Sequence, residues 1–598
     1  MIVNKISEIL KPAFVSAGYE IGSVKIKLSN RPDLCDFQCD DAFALAKTYK
    51  SNPATICQNV IDQINNMEKL DQYFDAVSFV APGFINITLS SQFINQEITA
   101  MNNNANFNLP NPEKRLKFVV DYGGPNIAKP LHVGHLRSAV VGESINRILK
   151  FAGHETISDV YLGDWGLQIG QVIYGLKMEG VDINNITLKD LEYIYPKYSA
   201  LCKEDEAVRD ACAEITKLMQ HGDQEYRRLH KIILQVSGDD IRDIYNYLDV
   251  RFDIWEGESN AYEYIPETKQ VFEDRKLLET SDGGALIINV KKDSDTGPMP
   301  PVVFQKSNGA YLYGTNDIAS IYRRVKLYNP TNMVYVVDKR QTLHFDQVFR
   351  ASVLGGFAEN IGLEHCGFGT VNGQDGKPYK SRDGNTPKLR ELFEQVKQVY
   401  IATKVGNENK TEHDLQVIVN AIIKFADLQN FYGRDYVFDI AKFSNIVGKT
   451  GPYLLYSYMR VQKILDNEKA LSEKPNDESA GNELNNTQLL KISKNNDVSN
   501  IFMLSSIIHS VFDKNLKLKL LELPEHVNNA FTLRDPSKIA DYVYDLATLA
   551  NAFYENHRIA SEEDAVKKQD LISILTLTNK VIKQMLNLLA INVPQNPL

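Results

Sequence analysis

Apolar positions in the first hundred residues switch between two periods. Asp41 to Lys50 (DAFALAKTYK) and Ala54 to Met67 repeat every three to four residues and predict amphipathic helices. Ala76 to Leu89 predicts two short strands about the turn Pro82-Gly83. Residues 101–115 (MNNNANFNLPNPEKR) are rich in Asn and Pro and almost free of apolar side chains, which places a domain boundary near 112. Beyond it, Lys117 to Asp121 is a β-branched run, followed by a loop containing Gly123, Gly124, Pro125 and Pro130. A helical period then runs from His135 to Phe151 and stops at Gly153, a natural cap, with a second strand at Thr156 to Tyr161. Strand, Gly-rich loop, helix and strand make the mononucleotide-binding half of a doubly wound sheet.

Residues 171–300 are charged, mostly helical and without a second Gly-rich loop, and are expected to be an insertion. The α/β pattern resumes with short strands at Tyr311 to Tyr313, Met333 to Asp338 and Phe368 to Val371, and a helix near His344 to Val353. From about residue 446 the period is helical almost to the end, interrupted by a polar stretch, Asn476 to Asn500, that predicts a long loop. Six cysteines in 598 residues, none spaced as C-x2-C, indicate neither a disulfide framework nor a zinc site, and fit a reducing cytosol. The N-terminus lacks the apolar core of a signal peptide, and no run reaches the 18 apolar residues of a membrane span. A cytoplasmic location with no membrane partner is expected.

The chain carries 66 Lys and Arg against 76 Asp and Glu, a net charge of −10. That balance argues against non-specific binding to nucleic acid, which takes surplus cations. It is unevenly spread: residues 446–598 hold 17 basic and 18 acidic side chains, so local patches remain open to a phosphate backbone.

Two motifs carry candidate chemistry. The first is Pro125-Asn-Ile-Ala-Lys-Pro-Leu-His132-Val-Gly-His135, between strand and helix. A helix N-terminus attracts phosphate, Gly134 lets a nucleotide approach the backbone, and two imidazoles there could donate to a phosphorus transition state. The alternative is a pair of capping or surface histidines; a metal site has no third ligand at suitable spacing. The second is Gly376-Lys377-Pro-Tyr-Lys380-Ser381-Arg382, a basic Gly-rich loop suited to a leaving pyrophosphate, or else a solvated charge run.

An HxGH step after a strand with a K-x-x-K-S-R loop downstream resembles the HIGH and KMSKS signatures of class I aminoacyl-tRNA synthetases. Several segments narrow the resemblance to the arginyl-tRNA synthetase family: VDYGGPNIAKPLHVGHLRSAVVGESINRIL (120–149), YLGDWGLQIG (161–170), YLYGTND (311–317), GKPYKSRDGNT (376–386), GPYLLYSYMR (451–460), APGFINI (81–87) and DPSKIADYVYDLATLANAFYE (535–555). The resemblance implies an α/β fold: an N-terminal α+β additional domain over 1–112, a Rossmann-type catalytic domain over 113–445 with the 171–300 insertion and the 376–386 loop, and an all-α anticodon-binding domain over 446–598.

It also implies an arginine–tRNA ligase that takes L-arginine, ATP with Mg²⁺ and tRNA(Arg), with no protein-bound structural metal. A monomer is expected, as is a need for bound tRNA before arginine is activated. Arginine's planar, five-donor cation calls for carboxylates and aligned acceptors. By resemblance these are Asp121, Asn126, Tyr313, Asp317 and Gln341. On residue type alone, Asp317 could equally be a helix N-cap and Tyr313 a core residue. ATP is expected at His132, Gly134, His135, Lys377, Lys380 and Arg382, with Lys129, His132, His135 and Lys380 catalytic. Ser381 stands where the KMSKS pattern has its second lysine, and Lys129, just before the HIGH-like step, would supply that charge. Asp164, Trp165 and Gln168 would line the site beside the insertion. Tyr453, Tyr456 and Arg460 are the candidates for stacking on tRNA bases, with core packing as the alternative.

Overall fold

The computed structural model describes residues 1–379, 387–403, 410–472 and 504–594. At its N-terminus a four-stranded antiparallel sheet, in the order Ile26–Leu28, Phe37–Cys39, Phe84–Leu89, Phe74–Val80, packs against helices Ile2–Ser16, Asp41–Tyr49, Pro53–Ile64 and Ser91–Asn102. Local chemistry sets the helix starts: the Asn52 side chain accepts from the Ala54 N–H with Pro53 at the first helical position, and the Ser90 hydroxyl accepts from the Phe93 N–H.

A five-stranded parallel sheet follows, in the order Gly362–His365, Asn332–Val336, Lys117–Tyr122, Glu155–Leu162, Ile254–Gly257. Its central strand, FVVDY after Lys117, is buried on both faces, as a strand covered by helices must be. Strand order reverses beside Lys117–Tyr122, which opens a crevice at the carboxyl ends of that strand and Asn332–Val336. The helix Val133–Phe151 leaves the crevice and ends where Gly153 takes a left-handed φ of 90°.

Three expectations from the sequence change here. The stretch 171–300 is mostly helical, with Leu167–Met178, Leu188–Glu204, Glu206–Gln220 and Gln224–Tyr247 before residue 250 and Glu258–Tyr262 and Ile265–Asp274 after it, but not all of it lies outside the central sheet. Between the two sets the chain returns to that sheet as its edge strand Ile254–Gly257. That strand is only four residues, Ile-Trp-Glu-Gly, too short and mixed to show a period. Tyr311 to Tyr313 is not a strand: Tyr311 makes one bridge to Gln305, and Tyr313 opens the helix Tyr313–Tyr328. Phe368 to Val371 is not one strand: Phe368 makes a single bridge to Asp338, Val371 opens the short strand Val371–Asn372, and the sheet's edge strand is Gly362–His365. The stretch 476–500 lies outside the described residues.

Among the described residues the C-terminal part is helical, with Gly451–Ser472, Val511–Leu521, Leu523–Leu533, Ser537–Asn556 and Ala565–Leu588. It is fastened to both other parts. Asn95 donates to the Ser505 and Ile507 carbonyls at 2.7 and 3.0 Å, and Lys514 pairs with Asp36 at 2.9 Å. On the catalytic side, Ser144 donates to the Leu588 carbonyl at 2.7 Å and Arg147 to that of Asn587 at 3.1 Å. The buried Lys424 ammonium holds the Leu248 and Ala590 carbonyls together. The Arg147 guanidinium on the Asn587 carbonyl complements the negative end of the helix dipole.

Candidate active site

A cavity of about 710 Å³ occupies the crevice. Asp121, at the end of the central strand, and Asn126, in the loop after it, form one wall. This loop lies tight on the neighbouring strand: a side chain on Gly124 would sit 2.1 Å from the Tyr161 carbonyl oxygen, so only glycine fits. Tyr313 and Asp317, one helical turn apart, line it together with Gln341, and His132, Gly134 and His135 line it where the helix Val133–Phe151 begins.

The two histidines are caps and cavity residues at once. The Gly134 N–H donates to His132 Nδ1 at 3.0 Å, and the His132 N–H donates to His135 Nδ1 at 3.1 Å. Accepting through Nδ1 places the proton of each neutral ring on Nε2. Burial, His132 and Lys129 push the His135 ring down to about 3, and burial and Lys129 also lower His132. Both imidazoles are therefore neutral, with Nε2–H donors that no described residue takes up. Their ring centroids lie 4.0 Å apart. Gly134 has a second role besides nucleotide approach: a Cβ there would meet His132 Cε1 at 2.8 Å.

The opposite end is acidic. Asp317 is buried and pairs with His344 Nε2 at 2.6 Å, and the Tyr313 ring stacks on the same imidazole with centroids 4.8 Å apart. Burial raises the Asp317 carboxyl, partly offset by His344, and raises Asp121 to about 6 against the pull of Arg324. Glu258 behind them reaches about 8, through burial and then through Asp317 and Asp164. Glu258 therefore holds its proton near neutrality, while Asp121, paired with Arg324, is largely ionised there.

Eight expected residues thus come together: Asp121, Asn126, His132, Gly134, His135, Tyr313, Asp317 and Gln341. Asp317 is not a helix N-cap; Leu312 holds that position. Others stand apart. Lys129 places its ammonium 4.7 Å from the centre of the Tyr195 ring on the inserted helix Leu188–Glu204. Lys377 is exposed at a turn whose next residues, Pro378 and Tyr379, touch the cavity. Lys380, Ser381 and Arg382 lie outside the described residues. Asp164, Trp165 and Gln168 do not line the cavity. Ser259 donates to Asp164 through N–H and hydroxyl at 2.9 and 2.6 Å, the Trp165 indole is buried against Arg227, and Gln168 donates to the Gly163 carbonyl at 3.0 Å. They build the turn after the second sheet strand.

A family model described as tRNA synthetases class I (R), catalytic domain, matches residues 97–440. Models of the arginyl-tRNA synthetase N-terminal domain and the DALR anticodon binding domain match 1–89 and 454–596. An arginine–tRNA ligase of Agathobacter rectalis is 37% identical over 620 aligned positions, covering 99% of each chain. The chain belongs to the arginyl-tRNA synthetase family. An arginine–tRNA ligase of Francisella tularensis subsp. novicida is 35% identical over 99% of each chain. Among solved structures, arginyl-tRNA synthetase from Plasmodium falciparum superposes with a TM-score of 0.77 at 25% identity, covering 100% of this chain and 99% of its own. The one from Thermus thermophilus shares the fold at 0.76, 21% identity and full coverage of both chains.

For a member of this family, the residues that sequence reasoning missed are His344, Glu258 and Arg324. None sits in a local motif. Each reaches the site across the sheet or from a neighbouring helix, with His344 27 positions from its partner Asp317. Among the described residues, no group of three or more His, Cys, Asp or Glu could hold a metal ion, and no helix is long and apolar enough to cross a membrane.

Proposed function

We propose that this synthetase-family chain is an arginine–tRNA ligase whose cavity holds L-arginine at its acidic end and ATP at its paired histidines. One observation carries the reading. A single crevice sets crowded carboxyls (Asp121, Asp317, with Glu258 behind) opposite two neutral Nε2–H donors at a helix N-terminus. A planar cation fits the first end and a phosphate the second.

Arginine's guanidinium goes to Asp121 and Asp317, flanked by Tyr313 and Gln341, and its α-end goes to Asn126. ATP arrives with Mg²⁺ as part of the substrate and lies over Gly134. The arginine carboxylate attacks the α-phosphorus, the bond to the bridging oxygen breaks, and pyrophosphate leaves with arginyl-adenylate formed. His132 and His135 donate to the phosphate oxygens as charge builds there. Lys129, Lys377, Lys380 and Arg382 are assigned to the phosphates; Lys129 must turn from Tyr195 to reach them. A hydroxyl of the terminal tRNA ribose then attacks the adenylate carbonyl and AMP leaves. The reaction rests on positioning and charge rather than a protein nucleophile.

Under this reading 1–112 and 446–598 are the tRNA-binding additional and anticodon-binding domains flanking the catalytic domain 113–445. Tyr453, Tyr456 and Arg460 meet the anticodon, and the enzyme works as a cytoplasmic monomer. The test is ATP–pyrophosphate exchange, with tRNA present, comparing arginine with lysine, glutamine and leucine. Arginine alone should support exchange; preference for another amino acid defeats the assignment.

A further inference from the structure

Below the acidic end of the cavity, one guanidinium serves two carboxylates. Arg324, on the helix Tyr313–Tyr328, is 1% exposed. Its Nη2 donates to Asp121 Oδ2 at 2.6 Å and to Asp159 Oδ2 at 2.7 Å, its Nε to Asp159 at 3.0 Å, and its Nη1 to the Tyr335 hydroxyl at 3.1 Å. The rings of Tyr161 and Tyr335 stand 5.3 and 5.4 Å from the guanidinium carbon. Arg324 and Asp159 do not line the cavity; Asp121 does.

This arrangement divides Asp121 in two. Oδ2 is held from below, while no described residue donates to Oδ1. The charges do not cancel: two carboxylates share one cation, so the ionised cluster keeps one negative charge. Asp159 Oδ1 is buried without a partner, which leaves its charge bearing on Asp121. The ionisable groups around Asp121 come from three elements: Arg324, Asp317 and Tyr313 on the helix, Asp159 and Tyr161 on one neighbouring strand, and Tyr335 on the other. Only Arg324 among them is a cation.

We propose that Arg324 is a positioning residue for substrate recognition: it clamps Asp121 by Oδ2 and secures its charge, so that Oδ1 is presented to the substrate's guanidinium, with Asp159 as the opposing weight. The inference rests on arginine being the substrate. It gives the two acids opposite parts. Arg324 favours the ionised form of Asp121 and Asp159 disfavours it, so removing either moves the titration of the site in a different direction.

The experiment is the pH dependence, from 5 to 8, of kcat/KM for arginine in pyrophosphate exchange at saturating ATP and tRNA. It is run on the wild type, Arg324→Gln, Arg324→Lys and Asp159→Asn. Arg324→Gln should move the acid limb up by about one unit or more and raise KM for arginine about tenfold with KM for ATP unchanged. Arg324→Lys should recover part of the shift. Asp159→Asn keeps an acceptor for Arg324 and should move the limb down by about half a unit. Should Arg324→Gln fail to fold by circular dichroism, Asp159→Asn decides alone. A uniform loss of kcat with the limb in place in Arg324→Gln, or an unmoved or raised limb in Asp159→Asn, overturns the proposal. Wild-type enzyme that shows no arginine-dependent exchange at any pH defeats the substrate assignment instead.

Discussion

His344 Nε2 and Asp317 Oδ2 meet at 2.6 Å, joining two helices that leave the crevice from successive segments of the chain. The same ring stacks on Tyr313, so one side chain orients both Tyr313 and Asp317. Replacing His344 by Phe keeps a ring for Tyr313 and removes the partner of Asp317. A hydrogen bond to a charged group contributes about 1.5–3 kcal/mol. KM for arginine should therefore rise about 10-fold or more while KM for ATP stays put, and His344→Ala should be worse than Phe. Equal effects on both KM values would mean general disruption of the site.

The histidine pair separates two roles by atom. Nδ1 of His132 accepts the Gly134 N–H, and Nε2 is left for phosphate. Asparagine reproduces the acceptor at the Nδ1 position and is among the best N-cap residues, but has nothing at Nε2. His132→Asn should keep the melting temperature and slow adenylation about 10²-fold, the usual effect of losing one oxyanion donor. His132→Ala should lose both stability and rate. Stopped-flow adenylate formation with thermal melts distinguishes the two; wild-type rates in the Asn variant would remove His132 from the chemistry.

Glu258 holds its proton near neutrality because burial and the Asp317 and Asp164 carboxylates raise it to about 8. A bound guanidinium reverses part of that, so arginine should displace protons as it binds at pH 7, and its affinity should tighten from pH 6 to 8. Titration calorimetry in two buffers of different ionisation enthalpy counts the protons; Glu258→Gln should reduce the count. The same shift affects stability. An acid whose folded value lies above its unfolded one binds more protons when folded, so its contribution is lost as pH rises from about 4.5 to about 8. Glu258→Gln should melt higher than wild type at pH 8 and no higher at pH 4.5.

The residues legible in the sequence are those lodged in continuous strings. His132, Gly134 and His135 lie within four positions and Tyr313 and Asp317 within five, so both sets fall in short strings that the family resemblance covers, although the pattern about Tyr313 reads as a strand where a helix begins. Arg324, Glu258 and His344 were not legible, because what gives them a role is proximity to groups far away in the sequence, on other elements. Arg324 reaches Asp121 203 positions away, and a period of 3.6 shows only that it faces inward. The edge strand Ile254–Gly257 escaped notice for a related reason: at four residues its pairing with Glu155–Leu162 is decided by the neighbour and not by its own propensity.

Of the three aromatic and basic candidates on the helix Gly451–Ser472, Tyr456 is the one whose ring stands open, 39% exposed. Tyr453 is held by the Asn551 side chain at 3.1 Å and packs against Tyr544, and Arg460 lies over Tyr554 beside Glu555. Base stacking on an aromatic side chain contributes about 1–3 kcal/mol. Tyr456→Ala should raise KM for tRNA about tenfold and leave the melting temperature within a degree or two, whereas Tyr453→Ala should also lower it. If Tyr456→Ala charges tRNA as well as wild type, this face is not where the anticodon sits.

Lys424 couples the catalytic part to the last helix. Its ammonium is fully buried and reaches the Leu248 carbonyl at one helix end and the Ala590 carbonyl just past another. Burial, helped by Arg147, lowers it to about 7, against an ordinary lysine value near 10.4. Between those values the unfolded chain carries a proton that the folded chain has shed. Stability linked to this group therefore rises with pH across that window, by up to about 1.4 kcal/mol per unit, and falls away as pH drops towards 7. Lys424→Met has no such linkage. Chemical denaturation of both proteins at pH 7 and 9.5 should show the wild type gaining on the variant at the higher pH. Parallel stabilities at the two pH values would show that Lys424 keeps its charge in the fold, leaving helix-dipole capping by a full cation as its contribution to the junction.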